Sequence, residues 1–185
     1  RNVIIKDNYA DSEGGGIGGG GSGTPEISNV LITNNSAGNG GGIYLEGSMS
    51  PSIINCTITG NIARSTSGGG IACNRTSHPV VFNSIFWYNS PSEIYLSAIE
   101  SDYSSITVNF SNISGGQNAI TMVEGTSVDW GNDNIDAAPA FVDTASGDYH
   151  LSDLSPVIGA ATASIDIGAV TYTAPSNDLD GNPRP

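Results

Sequence analysis

Carboxylates are the residues most able to do chemistry in this chain. Its 185 residues include 18 Asp and Glu but only five Lys and Arg, and 13 of the carboxylates lie from Glu93 onward. Hydrolysis of a glycosidic bond needs two carboxylates facing one sugar, and a calcium-assisted lyase needs carboxylates and a basic side chain. The chain repeats a segment of similar sequence. At no outward-facing position of this repeat do two neighbouring copies both carry a carboxylate. We therefore assign no catalytic residue, and an enzymatic function is left open but not favoured.

One acidic segment has the spacing of a metal loop. Asp178, Asp180 and Asn182 place oxygen ligands at alternate positions, as at the start of an EF-type calcium loop. The segment lacks the other ligands and the distal Glu of such a loop. The sequence indicates no required cofactor. Two interpretations of the segment stay open: a calcium site at these three residues, or a structural turn.

The two histidines and two cysteines suggest structural roles. Neither His78 nor His150 has an acid–base partner visible in the sequence, so we expect both to be structural or solvated. Cys56 and Cys73 occupy inward positions of the repeat and are predicted to be core residues, with a disulfide as the alternative. The cysteines suggest no zinc site.

Four aromatic side chains lie on or beside successive repeats, where they could stack on sugars or on partner side chains. We predict them to be ligand-binding residues, with the alternative that the Trp and the Tyr next to it cover the transition into a C-terminal cap. The four are Tyr44, Trp87, Tyr88 and Tyr95.

A repeated segment positions all these side chains. Gly-Gly-Gly-Ile ends three similar segments at Ile17, Ile43 and Ile71, which sets a period of about 26 to 28 residues. A unit this short cannot bury its own apolar face and must stack on its neighbours. Apolar residues alternate within each segment, as in half-buried strands, and the Gly triplets suit tight corners. The sequence therefore predicts a parallel β-solenoid.

Two sets of asparagines recur with the same period. If each set stacks inside the solenoid, every carboxamide can bond to the next coil and satisfy polar groups that burial would otherwise penalise. Members of the second set follow the inward residues Ile5, Ile32, Ile58 and Phe86 by three positions. We predict amide ladders from Asn2, Asn29, Asn55 and Asn83, and from Asn8, Asn35, Asn61 and Asn89.

The pairing of Gly-Gly-Gly-Ile with Ile/Phe-x-x-Asn resembles the repeats of secreted and surface right-handed parallel β-helix proteins of bacteria. It is similar to the Gly-Gly-Ala-Ile and Phe-x-x-Asn repeats of the chlamydial polymorphic outer-membrane proteins. Residues 147–151, 166–169 and 178–184 resemble that family's closing segments, although the family usually has Asp where this chain has Ala138. The resemblance implies an all-β fold, a single-stranded right-handed parallel β-helix with coils of about 26 to 28 residues and a less regular C-terminal cap.

The distribution of repeats and charges divides the chain into three parts. We expect regular coils in residues 1–100, one or more degenerate coils in 101–127, and a cap and tail in 128–185. Because Arg1 lies inside a repeat, we also expect the chain to be part of a longer protein with further N-terminal coils.

Charge and family resemblance together limit the function. A net charge of −13 disfavours nucleic acid and anionic membrane surfaces, and no apolar run is long enough for a membrane helix. The resemblance implies a secreted or cell-surface protein with a structural or adhesive role and a carbohydrate or surface protein as partner. The alternative is a polysaccharide lyase or glycoside hydrolase. Ice binding by Thr33, Thr57 and Thr59 is a minor alternative, because other residues interrupt the threonine column.

Overall fold

The structure, a computed structural model, describes residues 1–184. Strands dominate it, and the one helical element among these residues is a 3-10 turn, Gln117–Ala119. None of the described residues forms a helix long and apolar enough to cross a membrane. The strands are β1 Val3–Lys6, β2 Ile17–Gly23, β3 Glu26–Ser28, β4 Val30–Thr33, β5 Ser36–Ala37, β6 Ile43–Met49, β7 Ser52–Ile54, β8 Thr57–Thr59, β9 Ile62–Ala63, β10 Ile71–Asn74, β11 Val80–Phe82, β12 Ile85–Trp87, β13 Ile94–Leu96, β14 Ala98–Ile99, β15 Asp102–Tyr103, β16 Ser105–Asn109, β17 Asn112–Ile113, β18 Thr121–Met122, β19 Ser127–Trp130, β20 Phe141–Asp143, β21 Asp148–Leu151, β22 Ser164–Ile167 and β23 Val170–Thr173.

Three parallel sheets run along the solenoid, and each takes one strand from each of five coils. Sheet A has the order β1-β4-β8-β12-β17, sheet B β2-β6-β10-β13-β18, and sheet C β3-β7-β11-β16-β19. Strands of successive coils pair in register, so Ile17, Ile43, Ile71 and Ile94 lie side by side in sheet B. The predicted parallel β-solenoid is therefore confirmed.

The hydrophobic core lies inside the coils, between the three sheets. Ile32, Ile58 and Phe86 are stacked neighbours in sheet A and are fully buried. At the corner next to this core, the Gly triplets allow the backbones of successive coils to approach closely. A Cβ atom on Gly42 would lie 2.6 Å from the carbonyl oxygen of Gly70 in the next coil, so a larger residue would push the coils apart.

The second asparagine set forms a continuous interior ladder. Asn8 donates from Nδ2 to Oδ1 of Asn35, Asn35 to Asn61, and Asn61 to Asn89, each at 2.9 Å. Each of these Oδ1 atoms also accepts the backbone N–H of the preceding rung. The ladder ends on Glu93, which accepts from both the backbone and the side chain of Asn89.

The first asparagine set differs from the prediction, because it does not form a continuous interior ladder. Its members adopt left-handed backbone conformations, with φ between 52° and 55°, at the turn before sheet A. Amide contacts join Asn29 to Asn2 at 3.1 Å and Asn83 to Asn55 at 3.5 Å. Asn29 and Asn83 also bond to the C-terminal part of the chain. Asparagine suits these positions because it tolerates the left-handed region better than other side-chain-bearing residues.

Residues 128–184 also differ from the predicted cap. Residues up to 136 continue the solenoid, because β19 pairs with β16 and Asn112 forms a bridge with Ile135. The following segment, residues 137–184, which we call the tail, carries the hairpins β20–β21 and β22–β23. It folds over the outer face of sheet A and contacts coils from the fifth to the second, not in the order of the chain. Hydrogen bonds join it to the solenoid at Ala137–Asn112, Thr162–Asn83, Tyr149–Thr33 and Asn177–Asn29.

Candidate functional site

A small cleft on the outer face of sheet B brings together two of the four predicted ligand-binding aromatics. Tyr44, Ala72 and Tyr95 are neighbours in three successive strands, so the two tyrosines flank the small alanine. The cleft has a volume of about 180 Å³. We call it the tyrosine cleft. Its polar lining includes Glu13, Asn39, Ser65, Ser67, Asn74 and Ser97.

Tyr44 contributes its hydroxyl group to this cleft more than its ring. Only 6% of the residue is exposed, and Asn74 donates a hydrogen bond from Nδ2 to the Tyr44 hydroxyl at 3.0 Å. Burial, together with the nearby charges of Glu13 and Glu46, raises the pKa of Tyr44 above its ordinary value. The hydroxyl therefore stays protonated at neutral pH and can donate to a ligand. Tyr95 is half-buried and supplies the more accessible ring.

Asn74 has an unused hydrogen-bond acceptor at the cleft. Its Oδ1 atom is buried and has no hydrogen-bond partner among residues 1–184. Buried polar atoms without a partner are rare in folded proteins, and each calls for a physical explanation. A hydroxyl group in the cleft reaches this atom only if the Asn74 side chain rotates, because the atom has no contact with solvent.

Trp87 and Tyr88 lie elsewhere and do not join the cleft. Trp87 stands beside Thr59 in sheet A, on the other side of the coil, and is 8% exposed. Its ring meets that of Tyr88 edge to face, with centroids 6.0 Å apart. Tyr88 is 69% exposed. Trp87 is thus too buried to act as a stacking platform, and Tyr88 is the open ring of this pair.

The three residues of the calcium hypothesis do not converge on one point. Asp178 Oδ1 accepts the backbone N–H groups of Asp180 and Asn182 at 3.0 and 2.8 Å. Asp180 instead turns towards His150, with Oδ2 2.7 Å from Nε2. Within residues 1–184, no three His, Cys, Asp or Glu side chains are grouped so that they could hold a metal ion. In the described structure the segment acts as a turn that Asp178 closes.

His150 has partners that the sequence analysis missed. Its Nδ1 atom lies 2.6 Å from Asp148 Oδ1, in addition to the contact with Asp180. A neutral imidazole has one N–H, so only the imidazolium donates to both carboxylates. These two carboxylates, Asp180 first, raise the pKa of His150. The Asp-x-His spacing within β21 could have predicted the contact with Asp148. Nothing in the local sequence indicates the contact with Asp180, which is 30 residues away.

The second histidine and the two cysteines have structural roles. His78 Nδ1 lies 2.8 Å from the hydroxyl of Ser105 in the next coil. Cys56 and Cys73 are both buried and are not bridged. The core interpretation of the cysteines therefore describes the structure, and the disulfide alternative does not.

Comparison with known proteins agrees with the architecture. A protein-family model described as "Right handed beta helix region" matches residues 1–136, which is the whole solenoid. Neither the search of curated proteins nor the search of solved structures found a match. The match covers well over half of the chain and corresponds to the stacked parallel coils. The chain thus belongs to the right-handed β-helix family.

Proposed function

We propose that this β-helix is the carbohydrate-binding part of a secreted or cell-surface bacterial protein with an adhesive role, and that the tyrosine cleft holds one sugar unit of the ligand. The observation that carries the proposal is the cleft in which Tyr44 and Tyr95 flank Ala72, with the Asn74 carboxamide bonded to the Tyr44 hydroxyl at its wall. The Asn74 carboxamide and the Tyr44 hydroxyl supply polar contacts for sugar hydroxyls, and the Tyr95 ring supplies an apolar surface.

The charge of the protein favours some glycans over others. With a net charge of −13, the chain repels polyuronates and sulfated glycans at moderate ionic strength. Glu13 adds a carboxylate to the cleft itself. We therefore expect neutral or amino sugars to bind in preference to acidic ones.

A glycoside hydrolase is a second candidate, which one observation favours. Glu13 and Glu46 both lie close enough to Tyr44 to affect the pKa of its hydroxyl. Two carboxylates near one cleft are the minimum that hydrolysis of a glycosidic bond requires. Glu46, however, is paired with Arg75, with Oε1 3.3 Å from Nε.

The test is a glycan array followed by titration of the best ligands against three variants. Tyr95→Ala and Asn74→Ala should each weaken binding by roughly fivefold or more, because they remove a stacking ring and a polar lining group. Tyr88→Ala, an exposed tyrosine outside the cleft, should leave binding unchanged. Equal affinity in all four proteins would rule out the cleft as the binding site.

The same ligands should be assayed for new reducing ends. Release of product that disappears in Glu13→Gln would replace the adhesive proposal by the hydrolase. Saturable binding without product supports adhesion.

A further inference from the structure

A larger cavity lies between the tail and the outer face of sheet A, far from the tyrosine cleft. Its volume is about 550 Å³, which falls within the range of small-ligand sites. Its walls are mostly apolar, with Ile85 on the solenoid side and Leu151 and Val157 on the tail side. We call it the tail cavity.

The rim of this cavity shows how the solenoid recognises an extended backbone. Asn83 donates from Nδ2 to the carbonyl oxygen of Thr162 at 2.7 Å, and the N–H of Thr162 donates to Asn83 Oδ1 at 3.1 Å. One carboxamide thus satisfies both main-chain polar groups of one residue. The tail residues beside Thr162 are small, with the sequence Gly-Ala-Ala-Thr-Ala over residues 159–163.

Asn29 binds the tail in a related way. Its Nδ2 donates to the carbonyl oxygen of Asn177 at 2.7 Å, and its Oδ1 accepts from the guanidinium of Arg184 at 3.0 Å. Two of the four asparagines of the first set, Asn29 and Asn83, therefore hold tail residues.

Asn55 stands between these two in the same column and lines the tail cavity. Its φ of 52° equals that of Asn83, so both side chains leave the solenoid from the same turn. The only hydrogen bond of its side chain to a described residue is a long one of 3.5 Å, accepted by Oδ1 from Asn83. Its Nδ2 group donates to no described residue. The column thus repeats the backbone-binding group of Asn83 at a place where the tail leaves a cavity.

We propose that the tail cavity binds a short extended peptide with small apolar side chains, and that Asn55 pairs with one of its backbone amides as Asn83 pairs with Thr162. The apolar walls at Ile85, Leu151 and Val157 receive the side chains. The net charge of −13 selects against acidic peptides. This site is independent of the carbohydrate proposal, because it lies on a different sheet.

The probe is a peptide with the sequence of residues 159–163, acetylated and amidated at its ends. NMR titration should follow the Asn55 side-chain amide and the methyl groups of Ile85 and Leu151. We expect saturable shifts at all three, with an affinity that falls by roughly fivefold to tenfold in Asn55→Gly. Glycine keeps the left-handed backbone and removes only the carboxamide. Asn34→Gly, at an exposed left-handed asparagine outside the cavity, is the matched control and should bind like the unmodified protein.

A second variant tests the cavity without altering the solenoid. Val157→Trp fills the space from the tail side and should abolish the shifts. The proposal is overturned if the shifts do not saturate at about 10 mM peptide, an affinity too weak for a specific site, or if both variants bind normally. It is also overturned if the peptide merely displaces Thr162 from Asn83, or if octanoate saturates the cavity and the peptide does not.

Discussion

Glu93 takes the place of the next rung above Asn89 in the interior ladder. Its Oε1 accepts the Asn89 backbone N–H at 3.2 Å and its Oε2 accepts from Asn89 Nδ2 at 2.5 Å. The coil above has no asparagine in this position, so a carboxylate four residues along the same coil ends the ladder. Only 6% of Glu93 is exposed, and burial raises the pKa of its carboxyl group to about 7.

Glu93 therefore makes stability depend on pH. Because its pKa in the folded state is about 7 and the ordinary value is 4.5, the folded state binds the proton more tightly than the unfolded chain. The contribution of Glu93 to the free energy of unfolding is greatest when the pH is below 4.5, the ordinary pKa of Glu. It decreases as the pH rises through the folded-state pKa of about 7, by about 3 kcal/mol in all. Glu93→Gln should remove this slope and raise the free energy of unfolding at pH 8, since a Gln Oε1 accepts as the asparagine rungs do.

Chemical denaturation at pH 5 and pH 8 checks this prediction, with the exposed Glu124→Gln as the control. If Glu93→Gln keeps the slope of the unmodified protein, another group causes it.

The middle of the ladder should be far less tolerant than its end. Asn61 is fully buried and donates to Asn89 Oδ1 and to the carbonyl oxygen of Ile32, both at 2.9 Å. Asn61→Ala leaves these acceptors and the donors of Asn35 without hydrogen-bond partners. Each buried unpaired group costs about 1–3 kcal/mol. We expect a loss of about 3 kcal/mol or more in the free energy of unfolding. The exposed Asn118→Ala should change it by less than about 0.5 kcal/mol; comparable losses in both would show that ladder bonding is not the cause.

His150 should make the internal packing of the tail sensitive to pH, because it joins β21 to the turn at Asp180. Its raised pKa means that the contacts with Asp148 and Asp180 are complete below the ordinary imidazole value of about 6.5 and are lost as the pH rises through the folded value. Hydrogen exchange in residues 137–184 should therefore be faster, relative to the intrinsic rate, at pH 8.5 than at about pH 6.

His150→Ala should show the fast exchange at both pH values, whereas the control His78→Ala should behave like the unmodified protein. Exchange in the tail that ignores both pH and His150→Ala would contradict this role.

The two cysteines should be unreactive in the folded protein. Burial raises the pKa of Cys56 to about 12 and raises that of Cys73 as well, so almost no thiolate is present at neutral pH. A thiol reagent such as Ellman's should label neither residue until denaturant is added, and then label both. Rapid labelling without denaturant would mean that the coils open far more often than their packing suggests.

How much of the candidate site the sequence could predict depends on distance along the chain. Tyr44 could be placed beside Ala72 because the two are one period apart, whereas the place of Tyr95 on the other side of Ala72 came from the strand pairing in the structure. Their exposure was not identifiable, since a column position says nothing about what covers it. Trp87 and Tyr44 both occupy outward columns, yet both are buried.

The amino-acid sequence by itself determined the coils. Its regular period stacks each residue on its equivalents in the neighbouring coils, so the register, the core columns and the interior ladder of Asn8, Asn35, Asn61 and Asn89 follow from local pattern alone.

Only the tertiary structure decided where the tail lies and what it does to sheet A. The contacts of Asn83 with Thr162 and of Asn29 with Asn177 join residues 79 and 148 positions apart. No period links such residues, because the tail does not repeat. Its position depends on side-chain complementarity between two surfaces that exist only after the solenoid has formed. The same folding step turned Asn55 from one member of a regular column into the residue that faces the tail cavity.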